Sequence, residues 1–137
     1  MRVLALVPLL LLTATACTPP DNAVVVKCTS AGLVAANPEQ HCAISQAQLK
    51  GTSTARFEAK KFRHNAHVVA DLKVKQGTVK VTIRGMGTPT EFTITPEAPQ
   101  RVEVDTRLNR TNRSFTMRFE SEAGASGIDG TVNYRAQ

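Results

Sequence analysis

The sequence is poor in aromatic residues, and it lacks the several long apolar stretches that a polytopic membrane protein needs. Its 137 residues include no tryptophan, one tyrosine and five phenylalanines. This length allows one domain, and little chain remains for a large cofactor cleft once such a domain has formed its core. The composition also excludes collagen, a coiled coil and a wholly disordered chain.

Motifs that carry catalytic chemistry are missing as well. The sequence contains no P-loop, nucleophile elbow or dinucleotide-binding glycine motif. Its carboxylates are scattered, with no pair that suggests acid–base work. His64 and His67 are three residues apart, which on one strand directs them to opposite faces, so we expect surface imidazoles rather than a metal pair. We therefore predict a protein that is not an enzyme and that holds neither a cofactor nor a metal.

The N-terminus has the organisation of a secretory signal peptide. Arg2 precedes an apolar run over residues 3–12, and small residues follow over residues 13–16. A membrane-spanning helix needs about 20 apolar residues, which makes an uncleaved helical anchor the weaker interpretation. We predict that residues 1–16 are removed on export.

The next residue is a cysteine, and the stretch Ala14, Thr15, Ala16, Cys17 resembles the lipobox of bacterial lipoprotein precursors. The resemblance implies that Cys17 is lipidated and that residues 17–23, with Pro19 and Pro20, tether the protein to the membrane. It also implies a place in the cell envelope, on the outer membrane if the source has two membranes. Cleavage by an ordinary signal peptidase is the alternative, because Ala14 and Ala16 also fit that site.

With Cys17 assigned to the anchor, Cys28 and Cys42 remain as a pair. An exported protein meets an oxidising compartment, so we predict a disulfide that closes a loop of 15 residues. The chain-entropy model gives such a loop about 3 kcal/mol of stabilisation. Two free thiols, or a metal site that includes His41, are the alternatives. Within the loop we expect a short helical turn over residues 33–36.

Apolar and polar residues alternate with period two over most of the chain after Cys42, which predicts antiparallel strands with one solvated face. We expect strands over residues 43–50 and 54–62 with a bend or bulge over residues 51–53 between them, a tight hairpin at Gln76 and Gly77, and a last turn over residues 124–127. The fold predicted for residues 24–137 is an all-β, antiparallel two-sheet sandwich, immunoglobulin-like or similar, with seven or eight strands; a small barrel is the alternative. The predicted core comprises Phe57, Val68, Leu72, Val79, Val81, Ile83, Phe92, Ile94, Val102, Val104, Phe115, Met117, Phe119, Val132 and Tyr134.

The chain is basic, with 17 lysines and arginines against 11 acidic residues and a net charge of +6. The predicted patch for an anionic partner comprises Arg56, Lys60, Lys61, Arg63, Arg107, Arg110 and Arg113. Its partner would be lipid headgroups, an anionic surface polymer or an acidic envelope protein. A nucleic acid is not expected, because the aromatic residues alternate into the core and do not offer stacking surfaces. A solvated basic face without a dedicated ligand is the plainer interpretation.

Together these patterns predict a membrane-anchored envelope lipoprotein whose β-sandwich is a non-catalytic interaction or assembly module. The alternative is a periplasmic or surface carrier of a small ligand or a metal.

Overall fold

The computed structural model describes residues 23–31, 39–59 and 63–137, and every regular element in these ranges is a β-strand. Cys17, most of the predicted tether, Lys60, Lys61 and the expected helical turn over residues 33–36 lie outside the described residues. The strands are β1 (Val25–Ala31), β2 (Glu39–Glu58), β3 (Asn65–Lys73), β4 (Val79–Arg84), β5 (Thr90–Ile94), β6 (Gln100–Arg107) and β7 (Ser114–Ala136). In the described part of the chain, no helix could span a membrane.

All strand pairs are antiparallel, and they form two layers that share β2 and β7. Sheet I has the order β1, first part of β2, last part of β7, β3, β6. Sheet II has the order last part of β2, first part of β7, β4, β5. The predicted all-β, two-sheet sandwich of seven or eight strands is therefore confirmed, and the sheets do not close into a barrel.

The two long strands turn a corner between the layers, where separate strands were predicted. The β2–β7 pairing changes register between Leu49 and Gly51, and Gly51 and Gly124 adopt φ angles of 90° and 97°. On β2 the buried positions change from even numbers, such as Ile44, to odd numbers, such as Phe57. This change keeps the inward face apolar on both sides of the corner. The bend or bulge predicted over residues 51–53 is thus confirmed as a corner within β2, whereas the predicted turn over residues 124–127 is a corner within the continuous strand β7.

The apolar core lies between the two sheets. It contains most of the predicted residues, and the structure adds others, among them Cys42, Ile44, Leu49, Leu108 and Ile128. Three predicted core residues, Phe92, Val102 and Val104, are only half-buried. They lie on β5 and β6, the outermost strands of their sheets, where no further strand covers the inner face from the side.

The predicted disulfide joins Cys28 on β1 to Cys42 on β2. The two residues are direct register partners, so the bond fastens β1 to β2, the one described strand with which it pairs. Cys42 is 1% exposed and faces the core. His41 lies on the opposite face of β2, with Nδ1 3.0 Å from Oδ1 of Asn133. The alternative metal site built from both cysteines and His41 is therefore wrong.

The sandwich has two different ends. At the corner end, β2 and β7 cross between the layers, and residues 74–78 also cross from sheet I to sheet II, with Gln76 bridged to Ser126. The tight β3–β4 hairpin predicted at Gln76 and Gly77 is therefore wrong, because β3 and β4 belong to different sheets. At the loop end lie the β2–β3, β4–β5 and β6–β7 connections and the C-terminus. Strand β1 runs from the corner end towards the loop end, because Val25 pairs with Ser45 and Ala31 pairs with Glu39.

Candidate functional site

A cleft of about 330 Å³ opens at the loop end of the sandwich. Two segments that are distant in sequence form its walls, residues 63–64 before β3 and the β6–β7 connection. The lining residues are Arg63, His64, Arg107, Leu108, Asn109, Arg110 and Arg113. We call this site the arginine cleft. It brings together four of the seven residues of the predicted anionic-partner patch.

Hydrogen bonds join the two segments. The backbone N–H of Leu108 donates to the carbonyl oxygen of His64 at 2.7 Å, and Nη1 of Arg113 donates to the carbonyl oxygen of Arg63 at 3.2 Å. The Leu108 side chain is 3% exposed and forms part of the floor of the cleft. The walls therefore hold a defined separation before any ligand binds.

The β6–β7 connection is also ordered within itself. Oδ1 of Asn109 accepts from the N–H of Thr111 at 2.9 Å, and the carbonyl oxygen of Asn109 accepts from the N–H of Arg113 at 2.8 Å. Such local bonds from an asparagine side chain favour a compact turn. Arg113 has a φ of 51°, a left-handed conformation that non-glycine residues adopt infrequently. This turn places Arg110 and Arg113 in the same wall.

An aromatic cluster supports the loop end from inside the sandwich. The rings of Phe57 and Phe115 stack with centroids 5.0 Å apart, and Tyr134 meets both rings edge-on at 5.8 and 5.2 Å. The Tyr134 hydroxyl donates to the carbonyl oxygen of Glu58 at 2.8 Å, which links β7 in sheet I to the end of β2 in sheet II. Burial raises the pKa of this phenol, and the nearby Glu58 carboxylate adds to the effect.

The lining of the arginine cleft includes four arginines and no carboxylate. Arg63, Arg107 and Arg110 form no ion pair with any residue that the structure describes. Five other basic side chains do pair with carboxylates elsewhere: Arg56, Lys73, Lys80, Arg118 and Arg135. Several like charges around one concave surface raise the local positive potential and attract anions.

The rest of the predicted patch lies elsewhere. Arg56 is on the outer face of sheet II, with Nη2 3.0 Å from Oε1 of Glu58, and Lys60 and Lys61 lie outside the described residues. His64 lines the arginine cleft, whereas His67 lies on the outer face of sheet I. The two histidines are therefore apart, although His64 precedes β3 and the expected placement on opposite faces of one strand does not apply.

A cluster that the sequence reasoning missed surrounds His67. Its Nδ1 is 2.7 Å from Oδ1 of Asp105, and its Nε2 is 2.8 Å from Oε1 of Glu103. The hydrogen bond to Asp105, and then that to Glu103, raises the pKa of His67 above its usual value. Each ring nitrogen already has its own carboxylate, so the three side chains do not converge on one point. Across the residues described, no group of three or more His, Cys, Asp or Glu side chains is arranged to hold a metal ion.

Neither a protein-family model nor a curated protein matches the chain. Solved structures do resemble it. The enzymatically active domain of tailspike protein 4 of bacteriophage CBA120 matches 82% of this chain with 10% identity and a TM-score of 0.43, and the match spans 18% of the tailspike chain. The Cnp3 cupin domain of Schizosaccharomyces pombe matches 82% of this chain and 65% of its own length, with 11% identity and a TM-score of 0.37. A CBM4 structure matches 80% of this chain and 77% of its own, with 9% identity and a TM-score of 0.34. Similarities this distant carry no argument about the ligand or partner of this chain.

Proposed function

We propose that this protein is a membrane-anchored lipoprotein of the cell envelope whose β-sandwich is a non-catalytic module that binds an anionic partner in the arginine cleft. The observation that carries the proposal is the convergence of Arg63 with Arg107, Arg110 and Arg113 on one cleft without a carboxylate in its lining. Guanidinium groups present several donors in a fixed plane that matches carboxylate and phosphate oxygens. A binding role follows more directly from such a lining than acid–base chemistry does.

The direction of β1 supports an anchor on the far side of the molecule from this cleft. The chain enters the fold at Val25, near the corner end, and β1 then runs towards the loop end. We propose that the tether leaves the fold on this side, so that a lipid on Cys17 holds the corner end near the bilayer. The arginine cleft, at the loop end, would face away from that bilayer. This orientation favours a partner other than the headgroups of the anchoring membrane.

Lipidation is tested by metabolic labelling with palmitate. We expect label in the wild-type protein and none in a Cys17→Ala variant. Equal labelling of both proteins, or no label in either, would refute the anchor. Release of the Cys17→Ala variant from the membrane fraction gives an independent reading.

Binding is tested by crosslinked pull-down of the lipidated protein from its own envelope, with Arg110→Gln and Arg101→Gln variants in parallel. Arg101 is a matched control, because it is an exposed arginine near the corner end without an ion pair to any described residue. We expect Arg110→Gln to reduce capture of the anionic partner and Arg101→Gln to leave it unchanged. Equal capture by all three proteins would refute the role of the arginine cleft.

The bilayer as an alternative partner of the cleft is tested with vesicles of anionic phospholipid. The soluble Cys17→Ala variant should bind such vesicles no more tightly when Arg110 is present than when it is replaced by glutamine. A vesicle affinity that depends on Arg110 would instead identify the bilayer as the partner of the cleft.

A further inference from the structure

A second cleft lies beside the arginine cleft, on the outer face of sheet II. It also has a volume of about 330 Å³, and its lining includes Arg56, Arg84, Asn109, Asn112 and Thr116. Asn109 lines both clefts, so they are neighbours across a single residue. The second cleft was not part of the predicted patch, apart from Arg56.

The strand register places two arginines across the second cleft. Arg56 on β2 and Arg84 on β4 both pair with Thr116 on the intervening β7. Neighbouring strands are about 4.8 Å apart, so the backbones of Arg56 and Arg84, with β7 between them, are separated by roughly 10 Å. Arg56 is partly neutralised by Glu58, whereas Arg84 forms no ion pair with the described residues. Arg84 is therefore the main uncompensated charge of this cleft.

The backbone holds the two clefts at a fixed separation. The N–H of Met86 donates to the carbonyl oxygen of Arg107 at 2.6 Å, which ties the β4–β5 connection to the wall of the arginine cleft. Gly85 permits this approach, because a Cβ at this position would overlap the Arg107 carbonyl oxygen. Arg84 therefore lies two residues before Met86, the residue whose backbone is hydrogen-bonded to Arg107.

We propose that the two clefts are adjacent subsites for one linear polyanion, whose successive carboxylate or phosphate groups contact the arginine cleft and then Arg84. This inference rests on the proposed function of the arginine cleft and specifies its partner. A single small anion would occupy one cleft, but a chain of repeated anions can occupy both. Once one anionic group is bound in the arginine cleft, binding of the next group at Arg84 is intramolecular, which raises the overall affinity of the polymer.

The surface around the clefts favours a polymer over an acidic protein. Protein interfaces bury an apolar centre enriched in aromatic residues. Here Phe57, Phe115 and Tyr134 are buried beneath the loop end and offer no such centre. The large hydrophobic residues exposed within the described ranges are Val25, at the start of β1, and Met86, on the β4–β5 connection next to the clefts. A single exposed methionine does not form an apolar centre. Polar clefts joined by an asparagine suit a narrow, hydrophilic chain.

The test is a length series measured by fluorescence anisotropy on the full mature chain in its Cys17→Ala form. Oligogalacturonides of increasing length supply carboxylates, and linear polyphosphates of increasing length supply phosphates. Poly-glutamate of matched charge represents an acidic protein. The proteins are the wild type, Arg110→Gln, Arg84→Gln and the Arg101→Gln control.

For wild type and Arg101→Gln, we expect affinity for one of the two polymers, expressed per anionic repeat so that longer chains gain nothing from their number of positions, to rise by about tenfold or more from the monomer to the longest chain. Arg84→Gln should abolish this rise and leave the affinity for the monomer unchanged. Arg110→Gln should weaken binding at every length. The polymer with the larger rise identifies the anionic group.

Three results would overturn the inference. Affinity that does not change with length, or a rise that survives in Arg84→Gln, would reject the second subsite while the arginine cleft remains supported by Arg110→Gln. Tighter binding of poly-glutamate than of either polymer would reject the polymer class. Binding that is unchanged in Arg110→Gln would reject the arginine cleft itself, and the proposed function with it.

Discussion

Removing one positive charge from the arginine cleft should stabilise the folded protein. Arg110 is exposed, forms no ion pair with the described residues, and shares its cleft with Arg63, Arg107 and Arg113. Folding brings these four guanidinium groups together, and their mutual repulsion opposes folding. An Arg110→Gln variant keeps a polar side chain of similar reach and removes this repulsion.

The size of the gain follows from Coulomb's law. Guanidinium groups around a cleft of this volume lie roughly 8 Å apart, and two unit charges at that distance in water repel by about 0.5 kcal/mol. Three such neighbours give about 1.5 kcal/mol without salt. At physiological ionic strength the Debye length is about 8 Å, which reduces the sum to about 0.5 kcal/mol.

The assay is urea denaturation of the Cys17→Ala protein at low salt (about 10 mM) and high salt (about 0.5 M). We expect Arg110→Gln to raise the free energy of unfolding by about 1 kcal/mol at low salt and by almost nothing at high salt. Arg101→Gln removes the same charge, but Arg101 pairs in register with Asp71, so this control should be neutral or slightly destabilised. A gain that is independent of salt, or an equal change in both variants, would refute the reasoning. Reduced ligand binding with increased stability is the combination expected of a binding residue.

Three further predictions concern the rest of the fold. Replacing both cysteines of the β1–β2 disulfide with alanine should lower the free energy of unfolding by about 3 kcal/mol, and reduction of the wild type should have the same effect in a urea titration. NMR titration of His67 should give a pKa above its usual value, which falls more in Asp105→Asn than in Glu103→Gln; the stability from this raised pKa is present below about pH 6.5 and is lost as pH rises through the folded-state pKa. Tyr134→Phe should cost about 1 kcal/mol, because the carbonyl oxygen of Glu58 loses its donor. It should also remove a loss of stability above about pH 10, where the unfolded chain ionises this tyrosine more readily than the folded protein does.

Period-two alternation sufficed to predict the sandwich but not its corners. The alternation around Val81 and Met117 predicted the inward faces correctly, because a strand covered by a second sheet on one face needs apolar side chains at every second position. The sequence predicts a bend or bulge at Gly51 and a turn at Gly124, and it does not show that both are corners at which one strand passes between the two sheets. A glycine with positive φ serves a turn and a corner equally well, and only the pairing with a distant strand distinguishes them.

The buried glutamine at the corner illustrates a second limit. Gln46 is 2% exposed, and its amide donates to the carbonyl oxygen of Gln48 at 3.0 Å while Oε1 accepts from the hydroxyl of Ser53 at 2.8 Å. In the sequence it interrupts an apolar pattern and suggests a solvated position. Its burial is explained by hydrogen bonds across the corner, and these depend on the bend of β2.

The residues of the arginine cleft could be named from the sequence, but their assembly could not. Arg63 and Arg107 lie at opposite ends of a long sequence interval, and they meet because β3 and β6 pair so that Asn65 is opposite Arg107. The same pairing places Asp105 opposite His67, two residues further along each strand from the loop end. Local patterns specify which residues are basic, whereas the strand register decides which basic residues meet carboxylates.

The distribution of charge, rather than its total, therefore identifies the site. On β6 the outward residues Arg101, Glu103, Asp105 and Arg107 follow one another at every second position, and the two carboxylates are committed to His67. Arg107 lies beyond them, at the loop end, where the lining of the cleft includes no acidic residue. A net charge of +6 spread evenly would need no explanation beyond solubility. Most of the described carboxylates pair with a lysine, an arginine or His67 elsewhere, while Arg63, Arg107 and Arg110 converge without one, and this arrangement favours an anion supplied by another molecule.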